Sequence, residues 1–241
     1  MSRSKSPIPL YLFFLLLCIF FYYFRHDLFP RQLGRKRPRV FRSAPERRYN
    51  DQSRRGEVRS ETCNALGVTC SSTYLSRWSE PDDQSCHTSI HNGYPVPDAQ
   101  CTPGGINSSV TIETLRNPGW RMRCIRNCAT SEAEKHRTYE WYGIPCPKHN
   151  SGQNQVCKLD HLVPLELGGA DGPGNIWPEY GPDAATLNER YFKIKDRVEN
   201  YLADEVRAGR IPLNEAQKRI ALDWTQYLDA ANAYCQHGGR C

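Results

Sequence analysis

The sequence predicts an α+β domain with a loop-rich, cysteine-stapled N-terminal part, a short hairpin and two C-terminal helices, all behind a hydrophobic N-terminal segment. Three observations lead there. From Cys63 to about Cys157 the chain is punctuated by Pro, Gly, Asn and Cys, with only short apolar stretches such as Ser109 to Leu115. That grammar suits small strands and turns held by cross-links. Val156 to Pro164 forms a hairpin arm, followed by a turn rich in glycine (Gly168, Gly169, Gly172, Gly174) and by Asn175-Ile176-Trp177-Pro178. Beyond it, apolar residues recur at helical spacing in two runs.

The first helix starts near Asp183, a good N-cap, and sets Leu187, Tyr191, Ile194, Val198 and Leu202 on one apolar face before Gly209 and Pro212 stop it. The second is expected from about Asn214 to Tyr234, with Ala216, Ile220, Trp224, Leu228 and Ala231 as its core stripe. No internal repeat is present. With 241 residues, 39% of them hydrophobic and 11% aromatic, the chain can bury a real core, which excludes a wholly disordered protein.

Residues Ile8 to Phe24 (IPLYLFFLLLCIFFYYF) are almost wholly apolar and lie between Arg3, Lys5 and Arg25. The run is a membrane-targeting segment, between a signal-peptide core and a bilayer span in length. No small-x-small cleavage site follows it, so residues 1–24 are expected to be an uncleaved signal anchor, with a removed signal peptide as the alternative. Residues 25–60, rich in Arg, Pro, Ser and Gln, form a flexible basic linker that cannot bury a core. Residues 61–241 form the globular domain, with its core over about 96–234.

The net charge of +6 changes meaning once it is located. Arg25 to Arg59 holds 12 basic and 4 acidic residues, and Arg3 and Lys5 add two positive charges, which leaves −4 from Ser60 onward. Bulk charge therefore gives no support for nucleic-acid binding by the domain.

Two signals contest its orientation. Arg25, Arg31, Arg35, Lys36, Arg37 and Arg39 would be held in the cytoplasm by the positive-inside rule. The ten cysteines after Cys18, from Cys63 to Cys241, are an even and high count behind a targeting segment, which suits disulfides in an oxidising compartment. The extracytoplasmic orientation is the expectation, with a secreted domain as the variant. A zinc cluster of Cys124, Cys128, Cys146 and Cys157 is the rival reading, although none of the spacings is a CxxC knuckle. Asn107-Ser108-Ser109 is a glycosylation sequon.

The informative string runs from Cys157 through Asp160-His161, Pro164, Glu166 and Gly168-Gly169 to Asn175-Ile176-Trp177-Pro178-Glu179. It resembles the HNH, or His-Me finger, endonuclease family. That family's pattern is an Asp-His or His-His pair at a strand end, a Pro three residues on, a Gly-Gly turn, an Asn before a hydrophobic pair, and a helix that completes a metal site. Thr102-Pro103-Gly104, Pro118-Gly119-Trp120, Lys195-Asp196-x-x-Glu199 and Asp223-Trp224 extend the likeness to small HNH-like proteins, over about Val96 to Tyr227. The resemblance implies a ββα-metal core, with His161 as general base, Asp160 as metal ligand, and Asn175 tying the loop so as to aim the His.

The chemistry has a physical rationale of its own. Phosphodiester hydrolysis needs a base to deprotonate water and a cation to neutralise developing charge. A His with an ordinary pKa of about 6.5 suits the first task, and a carboxylate is a hard oxygen ligand for Mg²⁺ in the second. Strand neighbours point to opposite sides, so Asp160 and His161 share a task only where the strand bends.

The helix departs from the family pattern, because it has no His. At about 100° per residue Asn188, Lys195 and Glu199 fall within roughly 40° of one another. Asn188 or Glu199 is then expected to complete the cation site, and Lys195 to hold a phosphate. The metal is expected to be Mg²⁺, with Mn²⁺ or Zn²⁺ as alternatives. Arg121 and Arg123, in a patch with Arg116, Arg126, Lys135 and Arg137 around Trp120, suit phosphate and base contacts, or else a solvated face. Trp177, Trp224 and Tyr191 are expected in the core.

The expected activity is metal-dependent endonucleolytic cleavage of DNA or RNA with little sequence preference, since no reading module is recognisable. No obligate protein partner is implied. Two alternatives remain: a catalytically inactive, membrane-tethered module that binds glycans or proteins, and a cytosolic, zinc-stapled nuclease.

Overall fold

Every cysteine from Cys63 onward is paired in the computed structural model, which describes residues 61–241 apart from Ala129. The disulfides are Cys63–Cys124, Cys70–Cys128, Cys86–Cys101, Cys146–Cys157 and Cys235–Cys241. All four thiols of the zinc alternative are spent in this way, which overturns it. The expected signal anchor over residues 1–24 and the linker over 25–60 lie outside the described residues. Among the described residues no helix is long and apolar enough to cross a membrane.

The architecture is α+β, with three small two-stranded antiparallel sheets among helices. After a short helix α1 (Glu61–Ala65), β1 (Thr73–Tyr74) pairs with β4 (Gly105–Ile106), and β2 (Ser89–His91) pairs with β3 (Tyr94–Val96). Asn92 and Gly93, with φ of 49° and 83°, make the tight turn between β2 and β3.

Two helices lie in the part expected to hold only strands and turns. The apolar stretch after Ser109 forms α2 (Ile112–Arg116), because Thr111 and Thr114 cap it reciprocally. Ser131 and Glu134 do the same for α3 (Glu132–Trp141). The inner face of α3 includes Lys135 and Thr138 beside Trp141, so no apolar periodicity announces it. The sequon also reads differently in three dimensions. Asn107 is buried, its Nδ2 donates to Thr69 O, and its Oδ1 accepts from Ser71 and Ser109. It braces a loop, and its amide leaves no room for a glycan.

The second half follows the expected order. β5 (Cys157–His161) pairs with β6 (Ile176–Tyr180), Asp160 facing Trp177 and His161 facing Ile176. Between them Gly169 passes so close to the previous turn that a Cβ there would lie 1.9 Å from Val163 O. Asp183 caps the next helical turn, Ala184–Thr186, through Thr186 N at 2.7 Å. A π-helical stretch, Leu187–Phe192, leads into α4 (Lys193–Arg207), which buries Val198, Leu202 and Val206. It ends before Gly209, whose φ of +77° leaves the helical region.

The second long helix is a corrected expectation. It is broken into α5 (Leu213–Leu222), a 3₁₀ turn (Trp224–Tyr227) and α6 (Leu228–Gln236). Asp223 is extended and caps the new turn through Thr225, which interrupts the helix without disturbing the apolar stripe. Ala216, Ile220, Trp224 and Ala231 are buried with Val163, Leu165 and Val198 in the main core. A second cluster, around Trp141, Leu162 and Trp177, lies behind the hairpin. Trp177 and Trp224 are thus core residues, whereas Tyr191 is only half-buried.

Candidate active site

The hairpin sorts its side chains by the period of two. Lys158 and Asp160, with Glu179 across the ladder, share one face, and His161 turns to the other. The strand ends at His161 and the chain bends at Leu162 and Val163, so Asp160 and His161 line one cleft of about 310 Å³. Arg126, Lys158, Asp196 and Glu199 line it as well.

Asn175 holds the bend in place. It is fully buried, and its side chain makes four bonds to backbone: Nδ2 donates to Val163 O and Ala170 O, and Oδ1 accepts from Val163 N and Gly105 N, all at 2.8–3.0 Å. Leu162 N donates to Asn175 O at 2.8 Å. One residue therefore satisfies the polar backbone of the bend on both sides.

His161 Nε2 bonds Asp171 Oδ1 at 2.7 Å. Asp171 is itself buried, and its Oδ2 receives Lys135 Nζ at 3.0 Å and the backbone N–H of Asn127. Burial works against ionisation of Asp171, but the hydrogen bond from His161 and the charges of His161 and Lys135 outweigh it and hold the carboxyl below its ordinary range. An ionised carboxylate only accepts, so Nε2 carries the proton in this bond, and the neutral tautomer that fits it has its lone pair on Nδ1. Nδ1 has no protein partner among the described residues.

The opposite face is crowded with charge. Lys195 Nζ reaches Asp160 Oδ2 at 2.7 Å, Glu199 Oε1 at 2.5 Å and His161 O at 2.8 Å, with the lysine side chain only 1% exposed. Burial disfavours its charge, but Asp160 and Glu199 more than compensate and raise its pKa. Glu179 is fully buried, and neither carboxyl oxygen has a hydrogen-bond partner.

Burial and the charges of nearby carboxylates push Glu179 and Glu199 above the usual range. Lys195, hydrogen-bonded to Glu199, opposes the rise there, whereas Glu179 has no hydrogen-bond partner to oppose its own. Burial also raises Asp196 to about 6. Burial lowers Lys158, whose ammonium lies over the Phe192 ring.

Of the expected site residues, Asp160, His161, Glu199 and, beneath them, Lys195 come together around the bend braced by Asn175. Three do not. Asn188 is spent on Ala184 O at 2.8 Å; it lies in the π-helical stretch, whose wider turn breaks the phase that regular spacing assumes. Arg121 is exposed and donates to Pro118 O and Trp120 O, and Arg123 is exposed, so the cleft receives Arg126 from that segment instead. Lys195, expected to hold a phosphate, is buried and engaged with protein oxygens of Asp160, His161 and Glu199.

Asp171, Lys158 and Glu179 had no expected role, and Lys135 and Arg126 figured only in the basic patch. Asp171 sits in a glycine-rich loop ten residues after His161, where no periodicity marks it.

The donors present do not suit the expected divalent metal. Asp160 and Glu199 each give an oxygen to Lys195, Asn188 is turned away, and among the described residues no three His, Cys, Asp or Glu are grouped as metal ligands. No family model, no curated protein and no solved structure matches this chain.

Proposed function

We propose that this domain hydrolyses phosphodiester bonds in nucleic acid, with His161 as general base. One observation supports this above the others: a half-buried imidazole whose Nε2 is held by Asp171, with no protein partner on Nδ1 among the described residues, in a cleft that Arg126 and Lys158 line beside Asp160, Glu166, Asp196 and Glu199. The ordered Asp160-His161, Pro164, Gly168-Gly169 and Asn175 elements add the HNH resemblance, and the hairpin followed by α4 is compatible with it.

On this reading Nδ1 takes a proton from water as the oxygen attacks phosphorus, and the bond to the leaving oxygen breaks as it acquires a proton. Asp196, raised to about 6, is the carboxyl in the cleft best suited to supply that proton. Arg126 and Lys158 line the same cleft and would hold the phosphate oxygens. Asp171 fixes the tautomer of His161 and steadies the imidazolium formed.

The five disulfides favour an oxidising compartment, so we place the domain outside the cytoplasm, tethered through residues 8–24. The test is cleavage of supercoiled plasmid and of single-stranded RNA by the full chain and by its His161→Ala variant. Cleavage by the first and not by the second is expected. No cleavage of either substrate in any buffer, or equal rates for the two proteins, would overturn the assignment.

A further inference from the structure

We propose that Lys195 is the resident cation of this site, its ammonium filling the position between Asp160 and Glu199 where the motif leads one to expect a divalent metal. Three oxygens converge on Nζ: one from the strand carboxylate Asp160, one from the helix carboxylate Glu199, and the backbone carbonyl of His161, at 2.7, 2.5 and 2.8 Å. Two of these contacts are hydrogen bonds, to Glu199 and to the His161 carbonyl, and the third, to Asp160, is a close ion pair. The side chain is 1% exposed, so solvent does not share the coordination.

A divalent ion bonds oxygen at about 2.0–2.6 Å, so it could not share the point between Asp160 Oδ2 and Glu199 Oε1 that the ammonium fills. The remaining negative charge needs no metal either. Lys158 sits on the same face of the hairpin as Asp160 and lines the same cleft. The spacing explains how the helix supplies this cation. Lys195 and Glu199 are four residues apart on one face of α4, which aims both at the end of β5.

A consequence concerns how His161 is aimed. Lys195 holds its carbonyl while Lys135 holds Asp171, the partner of its ring, so two buried ammoniums fix the residue from backbone and side chain. Lys195 is on this account a positioning residue, not one that touches substrate.

The decisive measurement is cation binding by the full chain, which does not depend on the nuclease reading. Wild type, titrated with Mn²⁺ by calorimetry, should show no saturable site, and its Tm should be the same in EDTA as in millimolar Mg²⁺. Lys195→Ala removes the ammonium and leaves Asp160 and Glu199 facing an empty position. It should gain saturable Mn²⁺ binding and a Tm that rises with added Mg²⁺ or Mn²⁺.

If the chain cleaves nucleic acid, wild-type rates in EDTA and in Mg²⁺ should agree within about twofold, since no metal-bound nucleophile is required. Saturable Mn²⁺ binding by wild type that is lost in Glu199→Gln would overturn the proposal, as would a Lys195→Ala protein that folds and binds no cation. Should Lys195→Ala fail to fold with or without metal, the wild-type titration decides alone. A protein that shows the expected binding pattern but never cleaves would sink the nuclease reading and leave this one standing.

Discussion

His161 takes its direction from a carboxylate that lies in a loop, and the pair gives the sharpest prediction for a single side chain. Asp171→Asn keeps the shape but removes the charge that fixes the proton on Nε2. If His161 is the general base proposed above, cleavage should fall by about 10²-fold or more, comparable with His161→Ala, because a base in the wrong tautomer is a lost base. Steady-state rates on the plasmid substrate would show it, and a loss below tenfold would remove Asp171 from the mechanism. Asn175→Ala should act through the fold instead. It leaves the Val163 and Gly105 N–H groups and two carbonyls unpaired in a buried place, at about 1–3 kcal/mol each before relaxation, so a loss of at least about 3 kcal/mol is expected in denaturant unfolding. Asn175 was legible in the sequence as a loop tie because its motif is local. Asp171 was not, because its meaning comes from Lys135, 36 residues earlier, and from a backbone N–H at Asn127.

At the scale of elements, the segment from Met122 to Cys128 does more than its irregular form suggests. It supplies Arg126 to the cleft and the Asn127 N–H to Asp171, and disulfides at Cys124 and Cys128 fasten it to Cys63 and Cys70. Replacing Cys70 and Cys128 by Ser removes a cross-link spanning 58 residues, for which the chain-entropy estimate is about 4 kcal/mol. The double variant should unfold at markedly lower denaturant and, if still folded, show a lower kcat, as Asp171 loses part of its support. An unchanged kcat in the folded variant would mean the segment holds itself without the bond. Helix ends were legible where a cap is a matter of sequence: Asp183 and Gly209 behaved as expected. The break at Asp223 was not, since the apolar stripe runs on through it and periodicity sees only the stripe.

For the whole molecule, the buried carboxylates make stability depend on pH in a direction unlike that of most acidic side chains. Glu179 has a folded pKa above its unfolded one, so the folded state binds more protons than the unfolded state between the two values. Its contribution is fully present below the ordinary carboxylate range and is lost as pH rises through the raised value. Stability should therefore decline from mildly acidic toward alkaline pH, with a slope of up to about 1.4 kcal/mol per pH unit for one such proton. Glu179→Gln, neutral and similar in shape, should flatten the decline while costing little at pH about 5, where both side chains are uncharged. Tm measured across pH for both proteins checks this; parallel curves would remove Glu179 as the cause.

The sequence by itself determined what local pattern can carry: the mixed fold, the order of the motif from Asp160 to Asn175, the start and stop of the first long helix, and ten cysteines in an even set. Only the tertiary structure decided which cysteine meets which, that the Asn107 sequon is a buried brace, and that Asn188, Arg121 and Arg123 stand apart from the cleft. It also decided the place of Lys195. Spacing put Lys195 and Glu199 on one face of a helix, but could not say that the ammonium would be buried against Asp160 and the His161 carbonyl. A lysine on a helix face and a lysine that replaces a cation have the same local pattern. What separates them is desolvation and the convergence of oxygens from a strand 34 residues away, and those exist only once the chain has folded.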